Sequence, residues 1–138
     1  MKYLVFSDSH LTHIFDPKLF MLLEDAILLA DKVIIAGDFW ESYLTDIDQL
    51  LESPWQRLFK LLKERDTFYI YGNSDTEEYN EGKWTAFADE AGDEFKFEAN
   101  GKKFIIQHGH LVFSSFREQL PSKTERSRLV GQLKNILE

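Results

Sequence analysis

The chain has 138 residues and no cysteine, so it reads as a single domain over residues 1–138, with disulfides and thiolate metal sites excluded. A formal net charge of −8 with no compensating basic stripe argues against general nucleic-acid binding, yet leaves an anionic substrate open, because bound metal ions invert a local field. No apolar run reaches membrane length and no signal peptide precedes the first strand, so no transmembrane segment and a cytoplasmic location are expected.

The first strand is expected at about residues 2–7, and Asp8-Ser9-His10 follows its run Tyr3-Leu4-Val5-Phe6. A loop from Leu11 to Asp16 holds His13, read most simply as a loop residue, and Pro17 suits a first helical turn. Leu19, Phe20, Leu22, Leu23, Ala26, Ile27 and Ala30 then recur at the spacing of an amphipathic helix. The second strand, about 32–36, runs into Gly37-Asp38. After a loop from Phe39 to Thr45, a helix is expected to hold Leu50, Leu51, Trp55, Leu58, Phe59 and Leu62, starting or kinking at Pro54.

The third strand, about 67–71, runs into Gly72-Asn73-Ser74-Asp75. Thr76 to Gly82 is polar and reads as a surface loop, and Trp84 to Ala91 as a short helix. Glu94 to Glu98 alternates as a half-buried strand does, Asn100-Gly101 is a hairpin-turn signal, and the return strand 102–107 leads into His108-Gly109-His110. Leu111 to Pro121 reads as a loop, and a final helix is expected from Thr124 onward.

Four polar motifs thus sit at the carboxyl ends of strands, the edge where α/β sheets bind ligands. Asp8 to Asp38 is 30 positions, Asp38 to Asn73 is 35 and Asn73 to His108 is 35, matching one strand-helix-strand unit of roughly 30 or more residues. Taken singly, Asp8 or Asp38 reads equally well as a helix cap, and Gly72-Asn73 as an ordinary turn. Four such accidents in register are a weaker explanation than one site. Asp, Asn and His are hard and borderline ligands for divalent metals.

The set Asp8-Ser9-His10, Gly37-Asp38, Gly72-Asn73-Ser74-Asp75 and His108 resembles the calcineurin-like metallophosphoesterases over nearly the whole chain. Gly37-Asp38-Phe39-Trp40-Glu41 and His108-Gly109-His110 look most like the small bacterial and archaeal branch, which includes phosphodiesterases and UDP-2,3-diacylglucosamine pyrophosphatases. The resemblance implies an α/β protein, a four-layer α/β/β/α sandwich, here C-terminally shortened. It implies two divalent metal ions, Mn²⁺ first and Fe, Zn or Mg also compatible. Asp8 and His10 would bind one ion, Asp38 both, and Asn73 and His108 the other. Asn73, Asp75 and His110 are the candidate catalytic residues; the second reading of Asp75 is a carboxylate that fixes the Asn73 loop.

The chain departs from the family pattern twice. Ser74 stands where many relatives carry a His, and the closing Gly-His-x-His is absent, the histidines being His10, His13, His108 and His110. The expected activity is that of a metal-dependent phosphohydrolase acting on a phosphodiester, nucleotide or sugar-nucleotide pyrophosphate. The first alternative is a catalytically impaired binding or scaffold protein of the same fold. The other is a doubly wound protein using Asp8 and Asp38 for one Mg²⁺, although it leaves His108 without a role. Trp40, Glu41, Tyr43, Tyr79, Phe113 and Phe116 read either as a substrate-facing wall or as core. The expected partners are a phosphate-ester small molecule and a second copy of the chain, which would cover a bare strand edge.

Overall fold

The computed structural model describes residues 1–111. Its centre is a parallel sheet of four strands, β1 (Tyr3–Phe6), β2 (Lys32–Ala36), β3 (Thr67–Ile70) and β4 (Glu90–Gly92), lying side by side in that order. A two-stranded antiparallel hairpin, β5 (Glu94–Ala99) and β6 (Lys102–Gln107), forms a second sheet. The helices are α1 (Pro17–Leu28), α2 (Ile47–Leu51), α3 (Gln56–Lys63) and α4 (Glu77–Asn80), with 3-10 turns at Lys83–Ala86 and Gly109–Leu111.

Period-two alternation in the strands divides the interior. Val33, Ile35 and Tyr69 face the helices and join Phe20, Leu23 and Ile27 of α1 and Leu58, Phe59 and Leu62 of α3 in one core. Ile34, Ala36 and Ile70 point the other way and meet Phe95 and Ile106 of the hairpin. The described residues therefore stack helices, parallel sheet and hairpin in that order. The expected loop beyond Leu111, the final helix, Phe113 and Phe116 lie outside the described residues.

Local chemistry explains the element ends. Asp16 caps α1, accepting from the N–H groups of Lys18 and Leu19 at 2.9 and 3.2 Å, with Pro17 in the first turn. Asp46 and Gln49 form a reciprocal capping box on α2. Asn100 and Gly101 turn the hairpin with φ of 51° and 72°, the left-handed pair that a tight turn between twisted strands requires.

Three stretches differ from the sequence reading. The helix expected around Pro54 is two helices, because a proline without an N–H falls in the break between α2 and α3. Thr76 to Gly82 contains α4, whose Tyr79 and Asn80 are buried. Trp84 to Ala91 is a 3-10 turn followed by β4, with Phe68, Tyr69 and Ile70 pairing in parallel with Glu90, Ala91 and Gly92.

Candidate metal centre

The parallel ladder between β1 and β2 continues past both strands, and this continuation builds the site. Asp8 donates its N–H to the Gly37 carbonyl at 3.1 Å, His10 to Asp38 at 3.0 Å and Leu11 to Phe39 at 2.9 Å. Leu11 then bridges Trp40, so the two motif loops run zipped together. Asp8, His10 and Asp38 all hold the left-handed backbone conformation, at φ of 58°, 46° and 52°. That conformation costs a non-glycine residue about 1–3 kcal/mol and persists only where the surroundings impose it, a pattern concentrated at functional sites.

The loop after β3 closes on the same place. The Ser74 N–H donates to Asp38 Oδ1 at 2.8 Å, and a Cβ on Gly72 would overlap the Asp38 side chain and backbone. Asn73 stands between these two residues, half-buried. Asp75 is fully buried behind them. Its Oδ1 accepts from Gly72 and Asp38 N–H at 2.8 and 3.0 Å, and its Oδ2 from Phe39 and Trp40 at 2.7 and 3.4 Å. Burial pushes the Asp75 carboxyl up to about 7, the Asp38 charge adds to the rise, and Tyr69 and the backbone donors work against it. Asp75 has no exposed surface, and its carboxylate oxygens meet backbone N–H groups of the Asp38 and Asn73 loops.

The hairpin supplies the last motif. His108 follows β6 and packs against Gly37, where an added Cβ would lie 2.6 Å from the imidazole Cγ. Gly37, at φ 88°, is therefore required both by its conformation and by this approach.

The four side chains share one geometry, in which one polar atom is held from behind and another faces the centre. Asp8 Oδ2 accepts from the Ser7 hydroxyl at 2.5 Å, and its Oδ1 lies 3.6 Å from His10 Nε2 and 3.7 Å from His108 Nε2. Asp38, held by Ser74 through Oδ1, presents Oδ2 at 3.8 Å from His10 Nε2 and 3.4 Å from His108 Nε2. His10 is held at Nδ1 by Glu41 Oε2 at 3.1 Å, and His108 at Nδ1 by His110 Nδ1 at 2.7 Å.

This arrangement fits a cation. Ligand atoms of Asp8, Asp38 and His108 lie within 4.8 Å of one another. The nitrogen–oxygen gaps of 3.4 to 3.8 Å are longer than direct hydrogen bonds. The gaps of Asp38 to both imidazoles and of Asp8 to His10 match the spacing of atoms that each sit about 2.1 Å from a shared ion. The electrostatics point the same way. Burial works to raise the Asp38 carboxyl, but His108 and the Ser74 N–H outweigh it and hold it below the usual carboxylate value. The Asp38 carboxylate facing it in turn raises His108 above the ordinary histidine value.

His13 stands apart, with its Nδ1 3.2 Å from the Thr45 hydroxyl. Trp40 and Tyr79 are core residues rather than a substrate wall, and the Trp40 indole N–H donates to Asn80 Oδ1 at 3.2 Å. Ser7 and Glu41 are the participants that the sequence reading missed as partners of Asp8 and His10. Ser7 is the sequence neighbour of Asp8, whereas no spacing rule marks Glu41, because its contact depends on the zipped loops.

The family described as the calcineurin-like phosphoesterase superfamily domain matches residues 1–133. No curated protein matches the chain significantly. Among solved structures, the fold is similar to that of a protein of unknown function, AQ665, from Aquifex aeolicus. That likeness has a TM-score of 0.61 and 16% identity, and covers 86% of this chain and 69% of the other. The match over residues 1–133 decides the family: the chain belongs to the calcineurin-like phosphoesterases, a superfamily of metal-dependent phosphoesterases.

Proposed function

We propose that the chain hydrolyses a phosphodiester, nucleotide or sugar-nucleotide pyrophosphate at a dinuclear metal centre, with Mn²⁺ as the preferred ion. The observation that carries the reading is the convergence of Asp8 Oδ1, Asp38 Oδ2, His10 Nε2 and His108 Nε2, each with its other polar atom held from behind.

Asp8 and His10 would hold one ion, Asp38 both, and Asn73 and His108 the other. Divalent ions, when bound, activate water at neutral pH and neutralise charge developing on the phosphoryl group. The chain's own residues keep this pair in register. Asp75 locks the loops carrying Asp38 and Asn73 together through four backbone N–H groups. With Nε2 of His108 used as a ligand, its Nδ1 carries the proton and donates it to His110 Nδ1, so that His110 fixes the ring. His110, accepting at Nδ1, then keeps its own proton on Nε2. A second reading, metal and phosphate binding with weak turnover, is favoured by Ser74, which is buried and is a poor general acid.

Elemental mass spectrometry of the purified protein, together with Mn²⁺-dependent hydrolysis of bis-p-nitrophenyl phosphate, tests both readings, with Asp38→Ala as the control. Near-stoichiometric metal and turnover, both lost in the variant, are expected. Metal without turnover would favour the binding reading, and neither would remove both.

A further inference from the structure

We infer that Glu41 is a positioning residue, whose carboxylate fixes the tautomer and ring orientation of His10 so that Nε2 faces Asp8 and Asp38. The inference deepens the metal-centre reading and rests on it for its functional consequence.

Both partners are anchored before their side chains meet. His10 is pinned through its N–H to Asp38, and the Glu41 N–H donates to the Leu11 carbonyl at 2.8 Å, on the loops zipped by the Leu11–Trp40 bridge. The Glu41 side chain is 16% exposed and uses both oxygens. Oε1 accepts from the Tyr43 N–H at 3.1 Å, which orients the carboxylate, and Oε2 lies 3.1 Å from His10 Nδ1. A carboxylate accepts but cannot donate, so the proton between them belongs to Nδ1, and Nε2 of the neutral ring is left as a lone-pair donor. The His10 ring is 40% exposed, so without this partner little holds its orientation. The negative charge on Glu41 also strengthens Nε2 as a ligand, as a carboxylate behind a metal-bound imidazole does. The two imidazoles of the site are therefore held differently, His10 by a carboxylate and His108 by a neutral ring.

The test uses wild type, Glu41→Ala and Glu41→Gln, with thermal melts of the metal-free proteins to verify folding. Long-range ¹H–¹⁵N spectra of the metal-free protein at about pH 9, above the ordinary histidine range, read the tautomer directly. Wild type is expected to show Nδ1–H at His10. Glu41→Ala is expected to move toward Nε2–H, and Glu41→Gln to keep Nδ1–H, because its amide oxygen accepts the same bond. In Mn²⁺ titrations, Glu41→Ala is expected to bind about 10–100-fold more weakly. That loss should vanish when the same substitution is made in a His10→Ala background. An unchanged tautomer in Glu41→Ala, or an affinity loss that persists without His10, would overturn the inference. A tautomer change in Glu41→Ala, with a wild-type protein that binds no Mn²⁺, would support the hold on His10 and remove the metal-centre reading alone.

Discussion

The two faces of the central sheet are built unequally. On the helix side, Val33, Ile35 and Tyr69 are fully buried within an aromatic-rich core, where Phe39 and Phe87 lie 4.9 Å apart and Phe59 and Phe87 5.4 Å. On the hairpin side, the buried set is Ile34, Ala36 and Ile70, and Val5 of β1 is 46% exposed. The hairpin is held by a thin seam, with Tyr3 stacked on Phe97 at 4.7 Å and Phe68 against Phe95 at 4.9 Å. Asp8, His10 and Asp38 hang from strands that the helix side secures, whereas His108 arrives from the hairpin. The difference separates two properties: the helix side determines whether the chain folds, and the seam determines whether His108 reaches the other three side chains.

The largest effect is therefore expected at Ile35. Ile35→Ala removes fully buried methyl and methylene groups facing α1 and α3, and should cost about 2–5 kcal/mol in denaturant unfolding. The protein that remains folded should keep its Mn²⁺ affinity; a parallel loss of affinity would show that the faces are not separable. Gly37→Ala is the converse. Its φ of 88° makes an alanine strained by about 1–2 kcal/mol. The new Cβ also meets the His108 ring, so Mn²⁺ affinity should fall about 10–100-fold, well beyond what the stability loss explains. Phe97→Leu loosens the seam itself, removing stacks on Tyr3 and Phe104 worth about 0.5–1.5 kcal/mol each. A larger relative change in metal affinity than in stability is expected there too.

The sequence carried much of the scaffold, for reasons visible in single residues. Asp16-Pro17 announces a capped helix, Asn100-Gly101 a tight turn, and the alternation from Glu94 to Glu98 a half-buried strand, since each signal is local. The strand β4 was not legible: Glu90-Ala91-Gly92 is too short for a period, and its partner Thr67–Ile70 supplies the pairing. The helix α4 was hidden because the exposed Glu77 and Glu78 mask the buried Tyr79 and Asn80. In the site, residue type marks Asp8, His10, Asp38 and His108 as candidate donors, but not how they are held. Left-handed Asp8, His10 and Asp38 and the grip of Glu41 on His10 follow from the ladder running past β1 and β2, and the four N–H groups on Asp75 from the loop after β3 closing on that ladder. That is a tertiary fact with no mark in spacing.

The smallest effect distinguishes the faces by pH. On the helix side, Asp89 accepts from the Thr67 N–H at 2.8 Å and pairs with Lys63 at 2.7 Å, tying α3 and β3 to the segment before β4. Burial works to raise its carboxyl, but Lys63 and the Thr67 N–H outweigh it and leave it below the ordinary value. A depressed carboxyl stabilises the fold above its unfolded value of about 3.9, and that contribution is lost as pH falls through the folded value. The Asp89 side chain is 33% exposed, so solvent screening limits the contribution to less than about 1 kcal/mol. Asp89→Asn should therefore flatten the acid limb of a stability-against-pH curve below about pH 4, leaving neutral pH less stable by that small amount. On the hairpin, Glu94 is held low by Lys96 and Gln107 side chains alone, on an exposed surface. Glu94→Gln should flatten the acid limb less than Asp89→Asn does, because its partners are exposed side chains that solvent screens. Equal flattening by both substitutions would mean that the hairpin contributes to global stability as fully as the helix side does.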